Sequence, residues 1–143
     1  MTRVIGGIAR WCSAVALALT IAAVTGCETS YEEVSRLPSP DARVDAILVR
    51  AAGGGATVGY TYHVFIVPKG RNAAKGGEQF TADHPKDLRL RWRASRKLEI
   101  VFDEARIFQF KNFWHSREID NFNYVVELRL FPTGDSQLPS SMR

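Results

Sequence analysis

Two short runs of alternating residues, Leu88–Arg93 and Leu98–Asp103, constrain the fold more than any other feature of the sequence. In the first run, apolar residues alternate with arginines. In the second, Leu98, Ile100 and Phe102 alternate with other residues, two of which are acidic. A period of two puts one set of side chains on each face of a half-buried β-strand. We therefore expect a core built from strands.

The two runs predict a β-hairpin whose apolar faces must coincide. They coincide when Trp92 lies opposite Ile100, because a slip of one residue would turn a whole apolar set towards solvent. This register leaves Ser95–Lys97 as the loop. It also places Arg93 across from Glu99, and opposite charges in such positions stabilise a strand pair. The remaining predicted pairs are Leu90 with Phe102 and Arg89 with Asp103.

Four further segments have the composition of strands and are bounded by glycine, proline or polar residues. They are Val44–Arg50, Tyr60–Val67, Ile107–Trp114 and Tyr124–Phe131. A polar connection, His115–Asn121, separates the last two. Together with the hairpin, these segments predict a mainly β domain, an antiparallel sheet of about six strands that is curled or sandwich-like.

Two glycine-rich stretches are predicted to connect strands. The first contains Gly53–Gly55 and Gly59. A phosphate-binding loop is the alternative for it, but the Gly-Lys-Ser/Thr ending of such a loop does not occur there. The second stretch, Lys69–Gly77, is polar and expected to be mobile.

The first 26 residues are predicted to be an export signal. Arg3 and Arg10 precede the apolar run Trp11–Val24, and small residues follow it, which is the plan of a secretory signal peptide. The run is shorter than the roughly 20 apolar residues of a bilayer-spanning helix. A plain cleaved signal and a retained transmembrane anchor are the alternatives.

The residues Val24-Thr25-Gly26-Cys27 resemble the bacterial lipobox. In that motif a branched apolar residue and two small ones precede a cysteine that is acylated and becomes the first residue of the mature chain. The resemblance implies that Cys27 is lipidated and holds the protein at a membrane outside the cytoplasm, on the periplasmic face or at the cell surface. Two or three acyl chains anchor a protein stably. Cys12 would leave with the signal, so we expect neither an internal disulfide nor a catalytic thiol.

Cleavage before Cys27 leaves 117 of the 143 residues, which is enough for one domain with its own core. Within it, residues 27–40 are predicted to be a tether spanning on the order of 20 Å. Residues 41–132 are predicted to be the β domain and 133–143 a disordered tail. Ser30 and Glu33 fit a capping box, which predicts one or two helical turns before Pro38.

The net charge argues against a nucleic-acid partner. Two of the 19 Lys and Arg residues leave with the signal, so 17 remain against 15 Asp and Glu, a formal charge of +2. A nucleic-acid interface on the hairpin is the competing hypothesis, and a strongly salt-dependent affinity for DNA would support it. Its basic residues would be Arg89, Arg91, Arg93, Arg96 and Lys97.

Four motifs stand out in the body of the chain: Ser39-Pro40-Asp41, Gly55–Tyr60, His63–Pro68, and Leu90–Trp92 ahead of Leu98–Ile100. Together they resemble a group of small bacterial proteins of unknown function, over the region from Ser39 to about Phe110. Members of that group have a Ser-Pro-Asp-Gly turn and a Gly-Ala-Thr-Thr-Gly-Phe stretch, in which Ala42 and Val58 differ here. The resemblance implies a β-rich fold and no particular activity.

No motif predicts catalysis, a metal or a cofactor. The three histidines, His63, His84 and His115, could form a zinc or copper site with Asp83 or Asp120. However, no two of the histidines have the i, i+2 or i, i+4 spacing typical of such sites. The acidic residues Asp103, Glu104 and Glu118–Asp120 are expected in turns and at strand edges. We predict that none of these residues is catalytic or binds a metal.

Aromatic residues are concentrated in the last third of the chain. They are Phe108, Phe110, Phe113, Trp114, Phe122, Tyr124 and Phe131. We expect the core to bury most of them, and any left outside to form a patch for a partner protein or a membrane surface.

Taken together, these features of the sequence predict a membrane-anchored envelope lipoprotein that binds or scaffolds another envelope component without catalysis. The alternative is a small envelope hydrolase or metal-dependent enzyme that uses the histidines.

Overall fold

The computed structural model describes residues 31–52 and 59–134, which form nine β-strands and one short 3-10 helix, with no α-helix among them. The strands are β1 (Tyr31–Pro38), β2 (Val44–Ala52), β3 (Tyr60–Pro68), β4 (Glu78–Lys86), β5 (Arg89–Ala94), β6 (Lys97–Phe102), β7 (Glu104–Phe110), β8 (Phe113–His115) and β9 (Val125–Pro132), and the 3-10 helix is Asp120–Phe122. An antiparallel five-stranded sheet has the order β1-β2-β3-β4-β7, and a mixed four-stranded sheet has the order β5-β6-β9-β8. The predicted mainly β, sandwich-like fold is confirmed.

One apolar core lies between the two sheets. The first sheet contributes the alternate residues Val44, Ala46 and Leu48 of β2 and their neighbours on β3 and β4. The second sheet contributes Leu98 and Ile100 of β6, together with inward-facing residues of β9. The opposite faces of β2 and β3 are also buried, in a smaller cluster against the loop that follows β3. Burial on both faces explains why these two strands are almost continuously apolar.

The predicted hairpin exists as β5 and β6, but its register is shifted by two residues. Trp92 lies opposite Leu98, and Arg91 lies opposite Glu99. A bulge between Trp92 and Ala94 allows a turn that is two residues long. The predicted pairs, Trp92 with Ile100 among them, are therefore wrong. The predicted faces are right, because a shift of two residues leaves the same side chains on each face.

Glu99 still pairs with arginine across this hairpin. It accepts hydrogen bonds from the Nε and Nη2 of Arg91 at 2.8 and 2.5 Å, and the Nε of Arg93 lies 3.5 Å from it. Arg89 lies opposite Val101 rather than Asp103. The basic strand face is thus partly neutralised by one acidic residue in the adjacent strand.

The first strand, β1, occupies residues for which we predicted helical turns and a tether. Tyr31–Pro38 pairs with β2 along its length, so the helix prediction is wrong. Glu32 accepts from Arg50 of β2 at 2.6 Å, and Arg36 donates to Asp45 of β2 at 3.1 Å. These cross-strand bonds outweigh the local capping pattern, which satisfies only a helix end.

Two further strands differ from the predictions. The strand β4 was not predicted, because it buries Gln79 and Asp83 and includes Pro85, which obscures its alternation. The predicted strand Ile107–Trp114 is divided after Phe110 into β7 and β8, which belong to different sheets. In addition, β6 and β9 pair in parallel, where we expected an antiparallel sheet.

Several predictions concern residues outside the described part of the chain. These are the signal peptide, Cys27, the loop at Gly53–Gly55 and the tail beyond Gly134. Within residues 31–52 and 59–134, no helix has the length and apolar character needed to cross a membrane.

Candidate binding groove

Two adjoining depressions, of about 440 and 490 Å³, form a groove beside one end of the first sheet. Four residues line both of them: Gln79, Lys111, Trp114 and His115. Volumes of this size fall within the range of small-molecule sites in proteins. We call this feature the groove and treat it as the candidate functional site.

The groove exists because one end of β3 extends past the strand that pairs with it. The last residue of β3 opposite β4 is Phe65, which faces Glu78, whereas β3 continues to Pro68. The loop 69–77 then turns over the outer face of the sheet, where Ala73 packs against the smaller apolar cluster. On the other side, the chain leaves β7 at Phe110 and crosses to the second sheet. The space between the loop and this crossing segment is the groove.

Gln79 provides a buried polar group in the wall of the groove. The side chain is only 5% exposed, and its Nε2 donates to the carbonyl oxygen of Gly77 at 3.0 Å. This bond identifies which end of the amide is the oxygen. Within the described residues, the Oε1 of Gln79 is buried and has no hydrogen-bond partner. An unsatisfied buried acceptor costs about 1–3 kcal/mol unless an ordered water or a ligand completes its hydrogen bond.

Aromatic rings form a row along one edge of the groove. Phe113 and His115 project from the same face of β8, with parallel rings whose centroids are 5.7 Å apart. Phe122 meets His115 edge-on at 5.3 Å. Phe113 and Phe122 are both exposed, whereas Trp114 on the opposite face of β8 packs against the core. We call Phe113, His115 and Phe122 the aromatic row.

The core takes fewer aromatic residues than we expected. Tyr124 is fully buried, and Phe110 and Trp114 pack partly against the core. Phe108, Phe113, Phe122 and Phe131 are exposed. The expectation that most of the seven rings are buried is therefore wrong. Two of the four exposed rings belong to the aromatic row.

The groove carries little net charge. Arg71 and Glu118, which both line it, form an exposed ion pair at 3.3 Å. Lys111 adds one cation. Within residues 31–52 and 59–134, no group of three or more histidine, cysteine or acidic residues is arranged to hold a metal ion. The lining can therefore supply hydrogen bonds and aromatic surface, but it has no strong positive or negative electrostatic potential.

The Ser39-Pro40-Asp41 motif belongs to a second polar cluster, which joins the two sheets. Asp41 accepts from the Ser39 hydroxyl at 2.7 Å and from the Tyr124 hydroxyl at 2.9 Å. The same Tyr124 hydroxyl lies 3.0 Å from the carbonyl oxygen of Ser95, in the turn of the β5–β6 hairpin. We call Ser39, Asp41, Ser95 and Tyr124 the bridging cluster. It connects the β1–β2 turn with the second sheet, which gives the motif a structural role.

Two pKa shifts reflect how completely this cluster is paired. Burial raises the pKa of Tyr124, and the hydrogen bond and charge of Asp41 raise it further. Burial acts to raise the pKa of Asp41, but hydrogen bonds from Ser39 and Tyr124 outweigh it and the pKa is lowered. The phenol therefore stays protonated and the carboxylate ionised near neutral pH. Ala42, in the same turn, has a φ of 55°, a conformation that favours glycine.

A third polar site surrounds Asp45, which is 1% exposed. Its carboxylate accepts from Arg36 at 3.1 Å, from Lys69 at 3.1 Å and from the backbone N–H of Gly70 at 3.0 Å. Burial acts to raise the pKa of Asp45, but these three donors outweigh it and the pKa is lowered. Asp45 thus joins β1, β2 and the start of the loop 69–77. We had not singled out this residue from the sequence.

The three histidines have separate surroundings. The Nδ1 of His63 lies 3.2 Å from the Thr81 hydroxyl, and burial lowers the pKa of His63. His84 contacts Asp83, which is bonded mainly to Arg106. His115 belongs to the aromatic row. The structure therefore does not assemble the histidine site on which the enzyme hypothesis depended.

The acidic residues considered earlier are also engaged elsewhere. Asp103 accepts from the Thr133 hydroxyl, and Glu104 pairs with Lys86. Asp120 forms a bidentate pair with Arg43, both bonds being 2.7 Å. Gln79, the central residue of the groove, was missed because its strand was not predicted. Its only signal in the sequence is an amide two residues after a glycine pair, which is too common to be specific.

Comparisons with protein-family models, with curated proteins and with solved structures find no match to this chain. The resemblance to the group of small bacterial proteins stays a prediction.

Proposed function

We propose that this protein is a lipid-anchored envelope lipoprotein that acts as a non-enzymatic binding module and takes another envelope component into the groove. The observation that carries the binding proposal is the unpaired Oε1 of Gln79 in a groove bordered by exposed aromatic rings. A buried acceptor without a donor is expected where a ligand completes the hydrogen bond. The anchor proposal depends on the lipobox resemblance at Cys27.

The start of β1 limits how far the domain can lie from such an anchor. Tyr31, the first residue of β1, is four residues after Cys27. Even a fully extended chain covers only about 3.5 Å per residue, so this linker reaches roughly 14 Å. The domain would therefore lie closer to the membrane than the distance of roughly 20 Å that the predicted tether 27–40 would span.

The anchor is tested by the mass of the N-terminal peptide of the protein extracted from its native membrane. We expect the wild-type peptide to begin at Cys27 and to carry diacylglycerol, with or without an amide-linked acyl chain. Cys27→Ala should lose the lipid and the membrane association. A wild-type peptide that begins at Met1 without lipid would refute the anchor.

The binding role is tested by photo-crosslinking in intact cells, with p-benzoylphenylalanine placed at position 115 in the aromatic row. The control places the same group at position 108, another exposed aromatic position, which does not line the groove. We expect a defined crosslinked product from position 115 and none from position 108. Equal products from both positions, or none from either, would refute binding through the groove.

A further inference from the structure

We propose that the ligand of the groove is an uncharged or weakly charged saccharide chain. This inference rests on the proposed function, since it names the class of component that the groove takes. Two observations lead to it: the kinds of side chain in the lining and the low charge.

The lining combines the two surfaces that a sugar ring needs. A pyranose presents C–H groups on its faces, which pack against aromatic rings, and hydroxyl groups around its edge, which need hydrogen-bond partners. Phe113 and His115 supply exposed rings on the edge of the groove. Gln79, Asn72 and Asn112 supply amides, groups that both donate and accept. Lining of this mixed kind, apolar with a few polar groups, is typical of small-molecule sites.

The charges in the groove disfavour ligands that are strongly ionic. Arg71 is already paired with Glu118 at 3.3 Å, which leaves Lys111 as the further cation in the lining. Phosphate-rich ligands are recognised by several convergent cations or backbone N–H groups. A neutral polyhydroxylated chain, or one with an occasional carboxylate, matches this lining better.

The Oε1 of Gln79 is enclosed in the free protein. A sugar hydroxyl reaches it only if a neighbouring group moves, and the adjacent turn contains Gly76 and Gly77. The φ of Gly76 is +88°, and a Cβ at that residue would meet nothing within 4 Å. Gly76 therefore has room for such a displacement, whereas Gly77 is held by a hydrogen bond of its N–H to the carbonyl oxygen of Ala74 at 3.1 Å.

The test is a titration of the detergent-solubilised full-length protein with N,N′,N″-triacetylchitotriose and with cellotriose, followed by tryptophan fluorescence and calorimetry. We expect saturable binding of at least one of the two sugars and none of glycerophosphoethanolamine, a soluble lipid headgroup. Phe113→Ala should weaken sugar binding about tenfold, because it removes an aromatic contact. Phe108→Ala is the matched control, since Phe108 is 58% exposed and Phe113 is 54% exposed, and it should leave the affinity within about twofold.

Each other outcome overturns the inference. Binding of the headgroup in place of the sugars would identify a lipid ligand. Equal losses in Phe113→Ala and Phe108→Ala would place the sugar outside the groove. If neither sugar binds and the photo-crosslink from position 115 joins a polypeptide, the saccharide is refuted and the proposed binding function stands. If the crosslink also fails, the two proposals fall together.

Discussion

The bridging cluster and the groove contain similar polar groups in opposite states. In the bridging cluster, the Asp41 carboxylate accepts from the Ser39 hydroxyl at 2.7 Å and from the Tyr124 hydroxyl at 2.9 Å. In the groove, the amide oxygen of Gln79 is buried without any partner among the described residues. Both sites remove polar atoms from water, but only the first recovers their hydrogen bonds within the protein.

This difference separates residues that serve the fold from residues available to a ligand. The Ser-Pro-Asp motif is easier to recognise in the sequence than Gln79 of the groove. Its donors and acceptors, however, are used in joining the sheets. The Asp45 site belongs to the same class, because its carboxylate is bonded by three donors. Substitutions at the paired sites should therefore destabilise the protein, and substitutions in the groove should not.

The largest effect is expected from Asp45→Ala. This substitution leaves the Arg36 guanidinium, the Lys69 ammonium and the Gly70 N–H without their shared acceptor. Removing one member of a buried charged network costs about 3–5 kcal/mol, and the partial exposure of both cations reduces this to about 3 kcal/mol here. Urea unfolding of the full-length chain in detergent measures the loss. Glu32→Ala, which breaks an exposed pair with Arg50, is the control and should change stability little.

The same site predicts a dependence on pH. The pKa of Asp45 in the folded protein lies below its ordinary value of 3.8. Its contribution to stability is therefore complete above about pH 3.8, and it is lost as the pH falls through the lower folded value. Urea unfolding between pH 7 and pH 2 should show the wild type losing its advantage over Asp45→Asn at the acidic end. A constant difference over this range would contradict the assignment.

A smaller loss is expected from Tyr124→Phe in the bridging cluster. The ring stays buried, so the change removes one donor and leaves Asp41 and the Ser95 carbonyl less well satisfied. The expected cost is about 1–2 kcal/mol in the free energy of unfolding. Tyr60→Phe is the matched control, because the side chain of Tyr60 is exposed, and it should be neutral. A neutral Tyr124→Phe would show that the hydroxyl does not join the sheets.

The turn of the bridging cluster offers a stabilising change of smaller size. Ala42 has a φ of 55°, where a Cβ costs about 1–2 kcal/mol. Glycine removes that cost but gives the unfolded chain more freedom, so Ala42→Gly should stabilise by about 0.5–1 kcal/mol. Thermal unfolding of the two proteins measures the difference. Ala46→Gly, within β2 and fully buried, should instead destabilise, and a loss at both positions would contradict the argument.

The sequence predicts the strands whose two faces differ in polarity, and it misses the features that depend on pairing. Alternation correctly identifies β5 and β6 but cannot detect a register shift of two, which preserves both faces. The strand β1 has a local helix-start pattern, and only the bonds of Glu32 and Arg36 to β2 make it a strand. These bonds join residues that are 9 and 18 positions apart, beyond the reach of a local pattern.

The candidate site was harder to predict than the fold for the same reason. The groove arises because β3 extends past the last residue that pairs with β4, and strand lengths of this kind are set by tertiary pairing. The abundance of aromatic residues did indicate an exposed patch, but it could not tell Phe113 from Phe110. The importance of Gln79 depends on which of its two amide atoms finds a partner, which is a property of the folded loop.

Substitutions at the paired sites are expected to lower the free energy of unfolding, but Gln79→Leu in the groove is not. Burying the unpaired Oε1 costs about 1–3 kcal/mol, and leucine removes this cost. The substitution also removes the bond to the Gly77 carbonyl, but Gly77 is exposed and its carbonyl can bond to water instead. The free energy of urea unfolding should be unchanged or higher by up to about 1 kcal/mol. Gln109→Leu is the control, because Gln109 also donates to a backbone carbonyl, at 3.0 Å, but is exposed. If Gln79→Leu proves less stable than this control, the amide serves the fold and the contrast between the two sites fails.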